Sequence, residues 1–133
     1  MTTGSFDGFI AKYTPTGTLI WKNNVGSEGL DYFVQGTQTA DSGYVVVGER
    51  AVPSGQVTAP TGSKGIWVAK FDKNGNLEWD EAYGGKYFDF GQGIVQAKDG
   101  GYLVCGGTGS SDGNFPKYDF NISFTTNDVA IFK

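Results

Sequence analysis

Histidine is missing from this chain altogether. That excludes His-based catalytic triads and imidazole metal sites, and leaves carboxylates as the groups available for acid–base work. There is a single cysteine, Cys105, so no disulfide can form within one chain. It stands where an earlier copy of the same motif has Val47, and is expected to be a buried thiol replacing a small hydrophobe. Long Leu/Ala/Glu/Lys stretches of the kind helices prefer are missing too. No apolar run approaches the ~18 residues of a membrane-spanning helix. Residues Met1 to Phe9 lack the basic start and apolar stretch of a signal peptide, although a secreted parent that has lost its signal is compatible with that. The ten basic residues are scattered singly in a chain of net charge −4. Phosphate binding needs clustered Lys and Arg, so nucleic acid is not an expected partner.

What the 133 residues do contain is glycine, 22 in all, and aromatics at 15%. Val, Ile, Thr, Tyr, Phe and Trp lie between Gly/Asn/Asp turns, the pattern of an all-β protein. The length allows one domain with a real core and not two large ones. Asp99 to Gly106 reads DGGYLVCG, and Asp41 to Gly48 has already read DSGYVVVG. Each is a small-residue turn feeding a short apolar strand.

A shift of 58 aligns residues 7–48 with 65–106 without a gap, with 13 identities in 42 positions. Among them are Lys12/Lys70, Gly17/Gly75, Trp21/Trp79, Asp31/Asp89, Asp41/Asp99 and Tyr44/Tyr102. Repetition at such a period is the mark of an array. The units are 7–64, 65–127 and the start of a third at 128–133, where DVAIFK echoes DGFIAK, all within one domain, 1–133. Each complete unit predicts four short strands: Gly8–Tyr13, Thr18–Val25, Phe33–Thr39 and Tyr44–Glu49 in the first, and Ile66–Phe71, Asn76–Tyr83, Gly91–Ala97 and Tyr102–Gly107 in the second.

The apolar runs VVV and LVC call for a neighbour on both faces, which a one-sided sheet does not need. The Gly- and Gln-rich third strand suits a crowded, partly wet position such as a channel wall. Four-stranded sheets packed face to face around an axis make a β-propeller. DGFIAKYTPTGTLIW, VGSEGLDYF, DSGYVVVG and GGTGSSDGNFP…NDVAIFK resemble the repeats of bacterial secreted and surface proteins with seven-bladed-propeller-type arrays. The resemblance covers nearly the whole chain, the two inter-unit loops least. It implies an extracellular or cell-surface location, with the Gly/Gln strand innermost and the Trp strand outermost. One blade would then straddle both repeats, joining Phe33–Glu49 to Gly65–Tyr83. Propellers close with ~4–8 blades, and this chain supplies about two. The ring is therefore expected to be completed by homo-oligomerisation or by a longer parent chain.

Several residues bear on chemistry. Asp72-Lys73-Asn74-Gly75-Asn76 superficially resembles the start of a calcium loop, but the first repeat has Thr14-Pro15-Thr16-Gly17-Thr18 there and no bidentate Glu follows. A hairpin turn accounts for these residues, and no metal or cofactor is expected. Asp31 and Asp89, like Asp41 and Asp99, recur once per unit, which favours turn capping over catalysis. Glu28, Asp31, Asp80, Glu81 and Asp89 are the carboxylates a glycan-active enzyme would draw on. None is marked by its sequence surroundings, and the chain is read as non-enzymatic. The loop Thr108–Asn127 is the best ligand candidate. The interval from Gly65 to Asp128 is 63 residues against 58 in the first unit. Its Asp112, Asn114, Phe115, Tyr118, Asp119 and Phe120, with Phe124 nearby, combine ring faces and directional hydrogen bonds, as sugar recognition does. The competing reading is that these aromatics cover a sheet edge or meet a second subunit. Trp21, Trp67 and Trp79 are expected to pack in the core or between sheets. The expected activity is a binding module with carbohydrate as its first ligand class, against a purely structural self-assembling scaffold.

Overall fold

The computed structural model describes residues 6–27, 29–51, 64–113 and 128–132. The described residues are all β, without a helix, and every strand pair is antiparallel. Strands β1 (Gly8–Tyr13) and β2 (Leu19–Val25) form a first sheet. Strands β3 (Tyr32–Gln38), β4 (Tyr44–Ala51), β5 (Lys64–Phe71) and β6 (Leu77–Tyr83) form a second, in that order. Strands β7 (Asp89–Gln96), β8 (Tyr102–Thr108) and β9 (Asp128–Phe132) form the third. The central sheet thus joins the last two strands of one repeat to the first two of the next, and β9 extends β8 as β5 extends β4.

The strands lie where alternation and turn chemistry put them, because each turn is built locally. In both β1–β2 and β5–β6 a glycine adopts a left-handed conformation, Gly17 and Gly75 each at φ +84°. A backbone pair closes each loop, Thr14 N–H to Thr18 O at 2.8 Å and Asp72 N–H to Asn76 O at 2.9 Å. The DxGY turns use the same device, with Ser42 at φ +69° where the second repeat has Gly100 at φ +89°. A register shift falls between Phe33 and Gln35 on β3, and another between Gly91 and Gly93 on β7. Opposite each bulge sits Gly48 or Gly106, where an added Cβ would lie 1.9 Å from Tyr32 O or 2.0 Å from Phe90 O. Only glycine allows that approach.

The core is two layers of side chains, one on each face of the central sheet. Val46, Trp67, Ala69 and Phe71 are buried on one face against Ile10 and Val25 of the first sheet, with Phe33 and Tyr44 completing the layer. The Phe33 ring stacks on Trp67 at 4.3 Å. Val45, Val47, Ile66 and Val68 are buried on the other face against Ile94, Val104 and Tyr102 of the third sheet. Two glutamines tie β3 and the turn after it to β7 across this second interface. Gln35 Oε1 accepts the Ile94 N–H at 2.8 Å, and Gln96 Oε1 accepts that of Ala40 at 2.7 Å. These bonds account for Gln35 and Gln96, each of which satisfies a backbone donor across the interface.

Two expectations need correction. Cys105 is exposed rather than buried. The run LVC on β8 has one covered face, because Val104 points at the central sheet while Leu103 and Cys105 alternate to the side that no described sheet covers. The tryptophans pack in the core or between sheets as expected, but to different depths. Trp67 is buried, whereas Trp79 is 37% exposed and meets the third sheet at the Tyr102 ring, 5.7 Å away. Trp21 repeats that contact one sheet earlier, edge-on to Tyr44 at 5.5 Å.

Candidate functional site

The repeated aspartates turn out to be structural anchors of the loops that enter β3 and β7. Asp31 and Asp89 are both fully buried. Asp31 Oδ2 accepts the backbone N–H and the hydroxyl of Ser27, and its Oδ1 accepts the Ala51 N–H at 2.9 Å. Asp89 Oδ2 accepts the Gly85 N–H and the Ser110 hydroxyl, each at 2.9 Å, and its Oδ1 accepts the Thr108 hydroxyl at 2.5 Å. The second repeat has Gly85 in place of Ser27, and Ser110 from a different segment supplies the hydroxyl instead. A buried carboxylate is tolerated when its lone pairs are used in this way.

Asp41, Asp80 and Asp72 are similarly engaged. Asp41 Oδ1 accepts the Gly43 N–H at 2.9 Å and the Thr39 hydroxyl, while its Oδ2 takes a bond of 2.8 Å from Lys70 Nζ. The Lys70 ammonium, Thr39 and the Gly43 amide together hold the Asp41 carboxyl well below the usual carboxylate range. The same ammonium reaches Glu78 Oε2 at 2.7 Å. Burial pulls the Lys70 pKa down, but its bonds to Asp41 and Glu78 outweigh that and leave it raised. Asp80 accepts the Trp67 indole N–H at 3.0 Å and pairs with Arg50, whose guanidinium lies over the Trp67 ring. Asp72 accepts from Asn76 and Asn74 within its hairpin, and those bonds, the Asn76 side chain first, lower its pKa. Of the five carboxylates considered for glycan chemistry, Glu28 lies outside the described residues. Glu81 is exposed on β6, where its charge adds to the effect of burial in raising the Tyr83 pKa. Among the described residues no three His, Cys, Asp or Glu side chains converge as metal ligands.

Of the six candidate ligand residues, Asn114, Phe115, Tyr118, Asp119 and Phe120 lie outside the described residues, as does Phe124. Asp112 is described and half-buried. Its Oδ1 accepts the Lys86 N–H at 2.7 Å, while Ser110 Oγ accepts the Tyr87 N–H at 2.9 Å. The start of the long loop therefore clamps the segment ahead of β7. That clamp presents two aromatic rings which the sequence reading passed over, Tyr87 at 44% exposure and Phe88 at 50%. Lys86 Nζ lies 5.7 Å from the Tyr87 centroid, and Lys64 Nζ lies 5.7 Å from that of Phe88 and 4.9 Å from that of Tyr32. A signal was present: the repeat alignment puts Lys86-Tyr87-Phe88 opposite Glu28-Gly29-Leu30. Two rings appear just where the second unit departs from the first.

A second feature lies on the other side of the central sheet. A groove of about 400 Å³ runs between the edge of β1, at Phe9, Ile10 and Ala11, and the face of β3 and β4 that carries Phe33, Gly36, Tyr44 and Val46. Among the described residues β1 pairs only with β2. Searched against protein-family models the chain matches none, and the search of curated proteins found no significant relative.

Proposed function

We propose that this chain is a non-enzymatic β-propeller repeat module, extracellular in setting, that acts by binding and by presenting a surface. The observation that carries the reading is the face-to-face stack. The central sheet has four strands and is covered on both sides. The flanking sheets carry the same apolar residue types on faces that stay open, with Phe9 55% exposed at one end and Leu103 41% exposed at the other. Soluble proteins rarely leave such faces and open edges uncovered, so further sheets of the same kind are needed to close the stack into a ring. A longer parent chain or further copies of this one would supply them. The engaged carboxylates support a non-catalytic role, since a buried aspartate with its oxygens already hydrogen-bonded has none free for substrate.

Carbohydrate is the ligand class we assign to the end of the third sheet. The exposed Tyr87 and Phe88 rings beside the Asp112 loop favour it, offering stacking faces next to polar groups. A glycan array with the whole chain tests this. Binding is expected, and is expected to disappear in the Tyr87→Ala/Phe88→Ala or Phe115→Ala/Tyr118→Ala double variants while the solution mass is unchanged. An array without a single hit, beside an intact assembly, would leave the scaffold reading in its place.

A further inference from the structure

Strand β1 is the first-repeat counterpart of β5, and β5 is paired along both edges. On the edge that β1 leaves free, β5 meets β4 in the register Val46↔Ala69, Val47↔Val68 and Gly48↔Trp67. The third unit obeys the same rule. There β8 meets β9 as Val104↔Phe132, Cys105↔Ile131 and Gly106↔Ala130, the identical register carried forward by one repeat. The chain thus forms this junction twice, and β1 is equipped to form it a third time.

The space beside β1 fits the missing strands. The groove is bounded by the β1 edge and floored by the face of β3 and β4 around Gly36, Tyr44 and Val46. One interface further on, the equivalent face of β7 and β8, with Ile94, Tyr102 and Val104, is covered by the central sheet. The first sheet contains only the counterparts of β5 and β6, so the positions of the two inner strands over this floor are not filled by any described strand. The third sheet, conversely, holds the two inner strands and one outer strand. Each end of the stack therefore carries the part that the other end lacks, and both continue the sheet-to-sheet interface already present within the chain.

We infer that the free edge of β1 is a strand-acceptor site, and that its occupant is β8 of a second copy of this chain, which takes up β1 and β2 in place of its own β9. The junction has the register Val104↔Ala11, Cys105↔Ile10 and Gly106↔Phe9, and yields a four-stranded sheet ordered β7, β8, β1, β2 across two copies. It buries the open face at Leu103 and Cys105 over the groove. The contact is head-to-tail, so it propagates until the curvature of the stack closes it. This deepens the repeat-module reading and rests on it.

The lone cysteine makes the register testable in the full chain. Paired residues of antiparallel strands have Cα atoms ~4.5–5.5 Å apart, within disulfide reach. In Ile10→Cys, oxidation is expected to convert the bulk of the chain into covalent oligomers that a reductant returns to single chains. In Ala11→Cys, whose side chain lies on the opposite face, no such ladder is expected. Ile131→Cys places a partner for Cys105 on the chain's own β9, so oxidation is expected to lock β9 in place and reduce the light-scattering mass to that of one chain. Equal ladders in Ile10→Cys and Ala11→Cys, or an assembly that survives the Ile131→Cys lock, would overturn the assignment. An oligomer by light scattering with no Ile10→Cys ladder would overturn this register and leave the repeat-module reading standing. A monomer at all concentrations overturns the second copy as occupant, and glycan binding by that monomer still supports the module.

Discussion

Strands β4 and β8 are the same motif one repeat apart, and they end in different surroundings. In β4 the three valines, Val45, Val46 and Val47, are all buried. In β8 only Val104 is, while Leu103 and Cys105 face outward. Nothing in the local sequence separates YVVVG from YLVCG in kind. The difference lies in the neighbours: β4 has a sheet on each side, and β8 has a described sheet on one. Burial in a stacked array is set by position in the stack, and the pattern of the strand records what the strand was built to meet.

Substitutions at equivalent sites sharpen that contrast. The largest effect is expected at Trp67, buried with its ring on Phe33 and its N–H on Asp80. Trp67→Ala is expected to cost ~3–5 kcal/mol in denaturant unfolding. Phe9→Ala, at the matching place on the first sheet, should cost under ~1 kcal/mol in the single chain and weaken association instead. Equal losses would mean that the first sheet is covered in solution. Next comes Asp89→Ala, which removes the carboxylate acceptor of the Gly85 amide and of the Thr108 and Ser110 hydroxyls, at a cost of ~2–4 kcal/mol.

A smaller difference separates the two hairpins. Gly75→Ala combines a positive φ with a Cβ 2.5 Å from the Trp21 ring, whereas Gly17→Ala has the same φ and open space. The first is expected to lose ~1–3 kcal/mol and the second ~1 kcal/mol, read from thermal unfolding. The last prediction concerns pH. The folded state depresses the Asp41 pKa from its ordinary 3.8, so its contribution is present above that pH and is lost as pH falls toward the folded value. Lys70, with a raised pKa, contributes below its ordinary 10.5 and loses that contribution as pH rises through its higher folded value. Asp41→Asn should therefore flatten the decline in stability below about pH 4, followed by circular dichroism. An unchanged acid limb would show that the Lys70 contact adds nothing in solution.

Much of the strand layout was legible beforehand because turns and alternation are local. Gly8–Tyr13 is found as expected, and the other seven strands differ from their expected bounds by one or two residues at one or both ends. Asp31 and Asp89 were legible as turn-capping groups because they repeat. Tyr87 and Phe88 were passed over because a local reading of GGKYFDFG sees glycine and a coming strand. Their exposure depends on Ser110 and Asp112, more than 20 residues away, holding the segment out.

The sequence by itself determined the all-β class, the 58-residue period, the turn glycines and the aspartates that anchor each loop, since each follows from preferences acting over a few residues or from direct repetition. Only the tertiary structure decided which copy of a repeated side chain is buried. That depends on whether another sheet lies across it, and the same apolar strand is core at the centre of the stack and open surface at its ends.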